Sequence, residues 1–189
     1  MNKWPVAGIL AGIGVFVWGA ITHMALGIEQ KSISTFSDEA AVTAVLKEKV
    51  AQPGFYFFPN EQDDGVFFRV TEQDPEKMAA RVKTSPRGVL LYTPAGVPFS
   101  FPASLGTQFV LDILSGVILA WIFSVAIGDP KRKICGPCLG AVVGLFSVAA
   151  ILLPWWNWYG LPVSMVASGV IEQGVGFGIA GWILGKLIK

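Results

Sequence analysis

The sequence predicts an integral membrane, α-helical protein with four transmembrane helices and a small α+β extracytoplasmic domain inserted between helices 1 and 2. Hydrophobic residues make up 53% of its 189 residues. Charged residues make up only 14%, against about 25% in soluble domains, so the chain cannot cover an apolar core with a polar shell. Four apolar stretches have the roughly 20 residues that cross a bilayer as a helix, and one polar segment separates the first stretch from the others.

The spans are predicted at residues 4–28, 105–128, 134–154 and 162–185, and the domains at 1–28, 29–103 and 104–189. The first span is uncharged and longer than the roughly 7–15 apolar residues of a signal peptide, which predicts a retained anchor. The apolar stretch that begins at Ile134 is too long for one span. Prolines and glycine between Leu153 and Pro162 are expected to end the third helix and start the fourth.

The basic residues that flank the spans predict the orientation of the chain. In a four-span topology they all fall on one side of the membrane: Lys3, Lys131, Arg132, Lys133, Lys186 and Lys189. The positive-inside rule makes that side cytoplasmic, together with both termini, and places residues 29–103 outside. An uncleaved anchor with inside-positive loops favours a bacterial inner membrane as the location.

The polar segment between the first two spans predicts a compact α+β domain. Ser37-Asp38-Glu39 opens a helical pattern that runs to about Val50. Strands are predicted at 55–58, 66–70 and 88–92, the first two as a hairpin, and a short helix is predicted at 75–82. A domain this small is marginal alone, so we expect it to lean on the membrane surface or on a partner.

Aromatic residues are concentrated in the predicted strands of this domain: Phe55, Phe57, Phe58, Phe67, Phe68 and Tyr92. One interpretation is that they form its core. The other is that some of them form an exposed docking patch. Histidine, cysteine and glycine-rich phosphate loops do not occur in this segment, and the acidic turn at Asp63-Asp64 is expected to be solvated, so no catalytic residue is predicted.

Glycines recur in three of the predicted spans, mostly at four-residue spacing, and are expected to be helix-packing residues: Gly8, Gly12, Gly136, Gly140, Gly144, Gly174, Gly178, Gly181 and Gly185. Small residues let helix backbones approach closely in lipid, where no hydrophobic force drives helices together. These faces are compatible with packing inside the chain and with contacts to other subunits.

Five polar residues lie at predicted membrane depth and are candidate site residues: His23, Gln108, Asp112, Glu172 and Gln173. Ionisable groups are costly there and are therefore a functional hypothesis. In the predicted topology they all lie in the outer half of the membrane, so we expect them to line one polar pocket open to the exterior. Three interpretations are open: Glu172 and Asp112 handle an ion or proton, His23 ligates a metal, haem or chlorin pigment, or the groups form hydrogen bonds between helices of this protein or with a neighbour.

No cofactor is predicted apart from bound lipid. An imidazole such as His23 ligates metals, haem and chlorin pigments, but a lone histidine cannot make a bis-histidine haem site. A tetrahedral zinc site would need His23, Asp112 and Glu172 at similar depth, and they are about two to three helical turns apart. The sequence therefore predicts no metal site.

The tetrapeptide Cys135-Gly136-Pro137-Cys138 opens the third predicted span. It resembles the redox tetrapeptide of thioredoxin-like proteins, which implies a redox role for Cys135 and Cys138. A helix N-terminus and nearby basic residues favour the thiolate form. However, the chain has no βαβ pattern around the motif and no second thiol pair for a relay. The structural alternative is a first-turn proline flanked by small apolar residues.

The function expected first is a non-catalytic accessory or assembly subunit of a larger membrane complex, with the lipid bilayer and other subunits as partners. It rests on small size, a marginal outer domain, glycine faces and the lack of a catalytic set. The alternatives are a small transporter or channel component that uses Glu172 and Asp112, and a membrane thiol-redox protein. A net charge of +1 and no basic run longer than 131–133 argue against a nucleic-acid partner.

Overall fold

The computed structural model describes residues 3–59, 75–126 and 135–188. Its regular elements are α1 (Trp4–Ala20), α2 (Glu39–Lys49), β1 (Gly54–Phe58), α3 (Pro75–Thr84), β2 (Gly88–Tyr92), α4 (Phe101–Ala126), α5 (Gly136–Ser147), α6 (Leu153–Tyr159) and α7 (Val163–Leu187). Two π-helical turns, Ile21–Leu26 and Val148–Leu152, continue α1 and join α5 to α6. The chain forms two compact units, a helical unit of Met1–Ser34 and Ser100–Lys189, and an inserted unit of Thr35–Phe99.

Four helices are long and apolar enough to cross a membrane: Trp4–Leu26, Phe101–Ala126, Gly136–Tyr159 and Val163–Leu187. Each corresponds to one of the predicted spans, so the mainly helical fold with four helices of membrane-spanning length is confirmed. The second begins at Phe101, four residues before the predicted start. Pro102 lies in its first turn, where a residue without an N–H is tolerated.

The third helix continues past the predicted span end at 154, and its end lies within the predicted stretch between Leu153 and Pro162. The helix continues through α6 to Tyr159 and ends at Gly160, whose φ of 74° is the left-handed conformation common at helix ends. The π turn before Pro154 explains the continuation. Its wider hydrogen-bond spacing lets the backbone pass a residue that has no N–H and whose ring crowds the preceding turn.

Glycine contacts hold the helical unit together in two antiparallel pairs. In the first pair, Gly8 and Gly12 of α1 meet Gly116 of α4, and a Cβ added at Gly12 would lie 2.5 Å from the carbonyl oxygen of Asp112. In the second pair, a Cβ at Gly136 of α5 would lie 2.5 Å from the carbonyl oxygen of Gly181 in α7. Real Cβ atoms do not approach backbone so closely, so only glycine permits these separations.

The predicted glycines therefore divide into two groups. Those that pack against the backbone of a neighbouring helix of this chain are Gly8, Gly12, Gly136, Gly140, Gly144 and Gly181. Gly174, Gly178 and Gly185 make only ordinary contacts, at 3.5, 3.8 and 3.4 Å for an added Cβ. Gly116, which has no second glycine at four-residue spacing on its own helix, completes the first pair together with Ala120.

The two pairs join where α1 packs on α7. A Cβ at Gly14 would lie 2.8 Å from the side chain of Ile183, and a Cβ at Gly176 would lie 3.0 Å from the ring of Trp18. The order across the unit is thus α4, α1, α7, α5, and in the described part of the chain α4 and α5 share no comparable interface.

The apolar core lies at one end of the helical unit. It is formed by the first half of α1 and the second halves of α4 and α7, through Ala7, Ala11, Leu119, Ala120, Phe123, Ala180 and Leu184. At the other end, all ten residues of 101–110 are exposed. Close packing at one end and separation at the other leave a space between α1, α4 and α7.

The inserted unit contains a two-stranded antiparallel sheet and two helices in its described part. Gly54 pairs with Tyr92 and Phe58 with Gly88, so the predicted strands at 55–58 and 88–92 are found next to each other. Asp38 caps α2 by accepting from the N–H of Ala41 at 2.9 Å. The predicted strand at 66–70, with Phe67 and Phe68, and the acidic turn at 63–64 lie outside the described residues.

The glycine contacts predict a contrast between two alanine substitutions on the same helix pair. Gly140→Ala places a Cβ against the backbone of Phe177, whereas Gly178→Ala meets its nearest atom at 3.8 Å. We expect Gly140→Ala to lower the free energy of unfolding by about 1–3 kcal/mol. Gly178→Ala, with the helix propensity of alanine, should leave it unchanged or raise it by up to about 1 kcal/mol. Thermal unfolding of the purified protein in detergent measures both, and equal effects would contradict this packing.

Candidate functional site

A cavity of about 510 Å³ lies in the helical unit between α1, α4 and α7. Its polar wall contains His23, Gln108, Asp112, Ser115, Glu172 and Gln173. All five polar residues singled out in the sequence are thus brought to one cavity, each from the helix on which it was expected. The cavity lies toward the end of the unit where the helices separate.

His23 lies in the π turn that continues α1 and makes two contacts with carboxylates. Its Nε2 lies 3.1 Å from Oε1 of Glu172 on α7, and its Nδ1 lies 3.1 Å from Oε2 of Glu29. The side chains of His23 and Glu29 are 46% and 40% exposed, and that of Glu172 is 27% exposed. The imidazole therefore connects an acid at the rim with an acid of the cavity wall.

The turn after α1 brings Glu29 back to His23. Gly27, at a φ of 56°, ends the π turn, and the N–H of Ile28 donates to the carbonyl of Thr22 at 3.2 Å. The carbonyl of Ile28 lies 3.4 Å from the hydroxyl of Ser168 on α7, whose shorter hydrogen bond, at 2.9 Å, is donated to the carbonyl of Ser164. Gln30 closes the turn by donating from Nε2 to the carbonyl of His23 at 3.3 Å. Glu29 is thus held by the helical unit, although the sequence placed it at the start of the outer domain.

The two contacts of His23 require a shared proton. A neutral imidazole has one N–H and one lone pair, so it cannot donate to two carboxylates at once. Either the ring is an imidazolium that donates twice, or a neutral ring accepts from one protonated carboxyl group. In both cases the three groups together carry one net negative charge. Moving from one arrangement to the other only shifts a proton along a hydrogen bond.

Asp112 and Gln108 lie one turn apart on α4, on the opposite wall of the cavity. Nε2 of Gln108 donates to Oδ1 of Asp112 at 3.0 Å, which gives the carboxyl group a partner within its own helix. The hydroxyl of Ser115 donates to the carbonyl of Leu111 at 3.0 Å. Asp112 is therefore the acidic residue that α4 contributes to the cavity wall.

The cavity wall has an acidic character. Its described lining contains the carboxyl groups of Asp112 and Glu172 and the imidazole of His23, but neither lysine nor arginine. A cleft lined by one sign of charge attracts ions of the opposite sign. Among the described residues, no group of three or more His, Cys, Asp or Glu is arranged to hold a metal ion. The two acids of the wall lie on different helices, and the third acid, Glu29, faces the far nitrogen of His23.

The apolar part of the wall includes the rings of Phe16, Trp18, Phe101 and Phe177. Phe16 is held edge-on against Phe109 of α4, with ring centroids 5.1 Å apart. The indole nitrogen of Trp18 is buried and has no acceptor among the described residues. An unpaired buried donor costs about 1–3 kcal/mol, and such groups in native proteins call for a specific explanation.

The two cysteines lie away from this cavity, at the first turn of α5. Their sulfur atoms are bonded in a disulfide, with Cα atoms 5.2 Å apart, and both residues are exposed. Sγ of Cys135 also accepts from the N–H of Cys138 at 3.3 Å. Gly136 between them packs on Gly181, which belongs to the closely packed end of the unit. The basic residues at 131–133 lie outside the described residues.

No protein-family model matches this chain, and neither a curated protein nor a solved structure matches it.

The contacts of His23 predict how its two nitrogens respond to substitution. It is the only histidine of the chain, so nitrogen-15-labelled histidine gives the signals of one ring. We expect Glu172→Gln to shift the Nε2 resonance more than that of Nδ1, and Glu29→Gln to do the reverse, because each replaces an ionic acceptor by a neutral amide. If both variants shift the same nitrogen, or neither shifts any, the bridged arrangement is wrong.

Proposed function

We propose that this chain is a small membrane transporter, or a channel component, in which the cavity between α1, α4 and α7 handles a cation. The observation that carries this proposal is the imidazole of His23 between Glu29 and Glu172 at the wall of a cavity that also contains Asp112. Ionisable groups at membrane depth are costly and commonly mark ion or proton pathways. Here three such groups from three helices face the same space.

The geometry also suggests how charge would enter and leave the site. His23 and Glu29 are nearly half exposed, whereas Glu172 is less so, which makes the imidazole a link between rim and wall. A proton that moves from Glu172 to His23 would make Glu172 a carboxylate able to pair with an incoming cation. Loss of the cation would favour the return of the proton. The same two groups would thereby couple cation binding to protonation.

A role as an accessory or assembly subunit is the second candidate function. The glycine faces predicted contacts with other subunits, but six of the nine glycines pack against backbone inside the chain and are therefore not free for such contacts. What still favours it is an apolar strip on α2, which in the described residues is only half-buried or exposed: Ala41, Val42, Val45 and Leu46. Defined polypeptides that co-migrate with the native particle after gentle extraction would favour the subunit role.

We also propose that both termini lie in the cytoplasm, that the inserted unit lies outside, and that the membrane is a bacterial inner membrane. The distribution of lysine and arginine supports this orientation, because six of those near the spans fall on one side, against Lys31 on the other. In this orientation the wide end of the cavity, with His23 and Glu29, faces the exterior. The disulfide at the start of α5 then lies at the cytoplasmic end.

The transport proposal predicts a flux that depends on Glu172 and Asp112. Proteoliposomes that contain the full chain should conduct protons or Na⁺ faster than empty liposomes under an imposed membrane potential. Glu172→Gln and Asp112→Asn keep the side-chain shape, remove the charge and should reduce the added flux by at least ~10-fold. Glu48→Gln, an exposed carboxylate of α2, is the matched control and should leave it unchanged. Flux that all three variants retain would rule out a role for the cavity acids.

The topology predicts the accessibility of introduced cysteines in a variant that lacks Cys135 and Cys138. Lys47→Cys on α2 should react with a membrane-impermeant maleimide in intact bacterial cells, because it is exposed in the inserted unit. Lys186→Cys at the end of α7 should react only after lysis. The opposite pattern would invert the proposed orientation.

A further inference from the structure

We propose that the ligand of the cavity is an organic cation, a protonated amine or quaternary ammonium group that carries an apolar body. This inference rests on the proposed function, since it concerns the same cavity, and it names the chemical class that the wall fits. Three properties of the site carry it: its size, the composition of its wall and the placement of its acids.

The size of the cavity fits a small organic molecule. Its volume of about 510 Å³ lies within the roughly 300–1,000 Å³ of small-molecule pockets. A proton pathway or a bare inorganic ion needs much less space.

The wall contains aromatic rings beside carboxyl groups. The rings of Phe16, Trp18 and Phe177 come from α1 and α7, and Phe101 comes from the start of α4. Aromatic faces attract ammonium groups, and tryptophan does so most strongly. Gly176 makes room for the indole of Trp18, since a Cβ there would lie 3.0 Å from the ring. The ring is thus placed by close packing, while its N–H has no acceptor among the described residues.

The acids are placed as an ammonium group requires. Asp112 on α4 lies across the cavity from the His23–Glu29–Glu172 group, which carries one net negative charge, and the described lining contains neither lysine nor arginine. A metal ion needs several oxygen or nitrogen ligands that converge on one point. An organic cation needs only nearby negative charge and apolar contact for its body. Glu172 lies 3.1 Å from Nε2 of His23 and also lines the cavity, so its carboxyl group can pair with the imidazole or with the ammonium group.

Equilibrium binding to the detergent-solubilised full chain tests this assignment. The probe is 2-phenylethylammonium, and its neutral counterpart of similar shape is 2-phenylethanol, both measured by titration calorimetry. We expect the cation to bind at least ~10-fold more tightly than the alcohol, because the hydroxyl group is still a donor but has no positive charge to pair with the carboxyl groups. Glu172→Gln and Asp112→Asn should each weaken binding of the cation by a similar ~10-fold, whereas the control Glu48→Gln should leave binding unchanged. Trp18→Phe, which keeps an aromatic face, should weaken it by only ~2–5-fold.

Each other result has a distinct meaning. Equal binding of amine and alcohol, unchanged in Glu172→Gln, would overturn the assignment in favour of an apolar occupant such as a lipid chain. Absence of amine binding together with Glu172-dependent proton or Na⁺ flux would overturn it while the proposed function stands. Amine binding that depends on Glu172, without flux of any cation, would support an organic cation as the ligand and contradict the proposed transport function.

Discussion

The helical unit depends on backbone contacts between glycines at one of its ends. Gly8 and Gly12 against Gly116, and Gly136 and Gly140 against the backbone of α7, set helix separations that no other residue permits. In lipid, such close approach supplies the packing that holds helices together. Because the contacts are confined to one half of each pair, they leave the other half free to diverge. The exposed first turns of α4 and the cavity beside them follow from that constraint.

Irregular helix geometry at the wide end turns this space into a chemical site. The π turn at Ile21–Leu26 carries His23, and the left-handed Gly27 then directs the chain back so that Glu29 reaches the ring. π turns inside helices are rare and are often found at functional sites. The contact between Ser168 and Ile28 ties this turn to α7, the helix that supplies Glu172. Glu29, His23 and Glu172 are therefore positioned by α1 and α7, which also pack on each other where Gly14 meets Ile183.

Much of the fold could be predicted from hydropathy and spacing, because helices of membrane-spanning length leave a strong apolar signal. The shared pocket of His23, Asp112 and Glu172 followed from the depth of each residue in its span. Gly116 was missed because the small residue four positions further on is Ala120, so this helix shows no repeated glycine. The helix beyond Pro154 and the return of Glu29 were missed because a π turn has no sequence pattern that distinguishes it from a regular turn.

The sequence reduced the function to three classes, a complex subunit, a transporter or channel component, and a thiol-redox protein. It could not decide among them, because acidic residues in spans and glycine faces occur in more than one class of membrane protein. In the structure, Gly8, Gly12, Gly136 and Gly140 pack against neighbouring helices of the same chain. These glycines therefore no longer favour a complex subunit over a transporter. The disulfide of Cys135 and Cys138 leaves the thiol-redox hypothesis as an independent one, at a site that shares no residue with the cavity.

The central claim is that a cation enters the cavity next to the imidazole that bridges two acids. The most direct measurement follows the nitrogen-15 signals of His23 in the full chain while 2-phenylethylammonium is added. The account predicts a saturable shift of the Nε2 signal, which faces Glu172, and no such shift with 2-phenylethanol or in Glu172→Gln. Signals that stay unchanged at saturating amine, in a protein that still binds it, would place the ligand elsewhere and contradict the account.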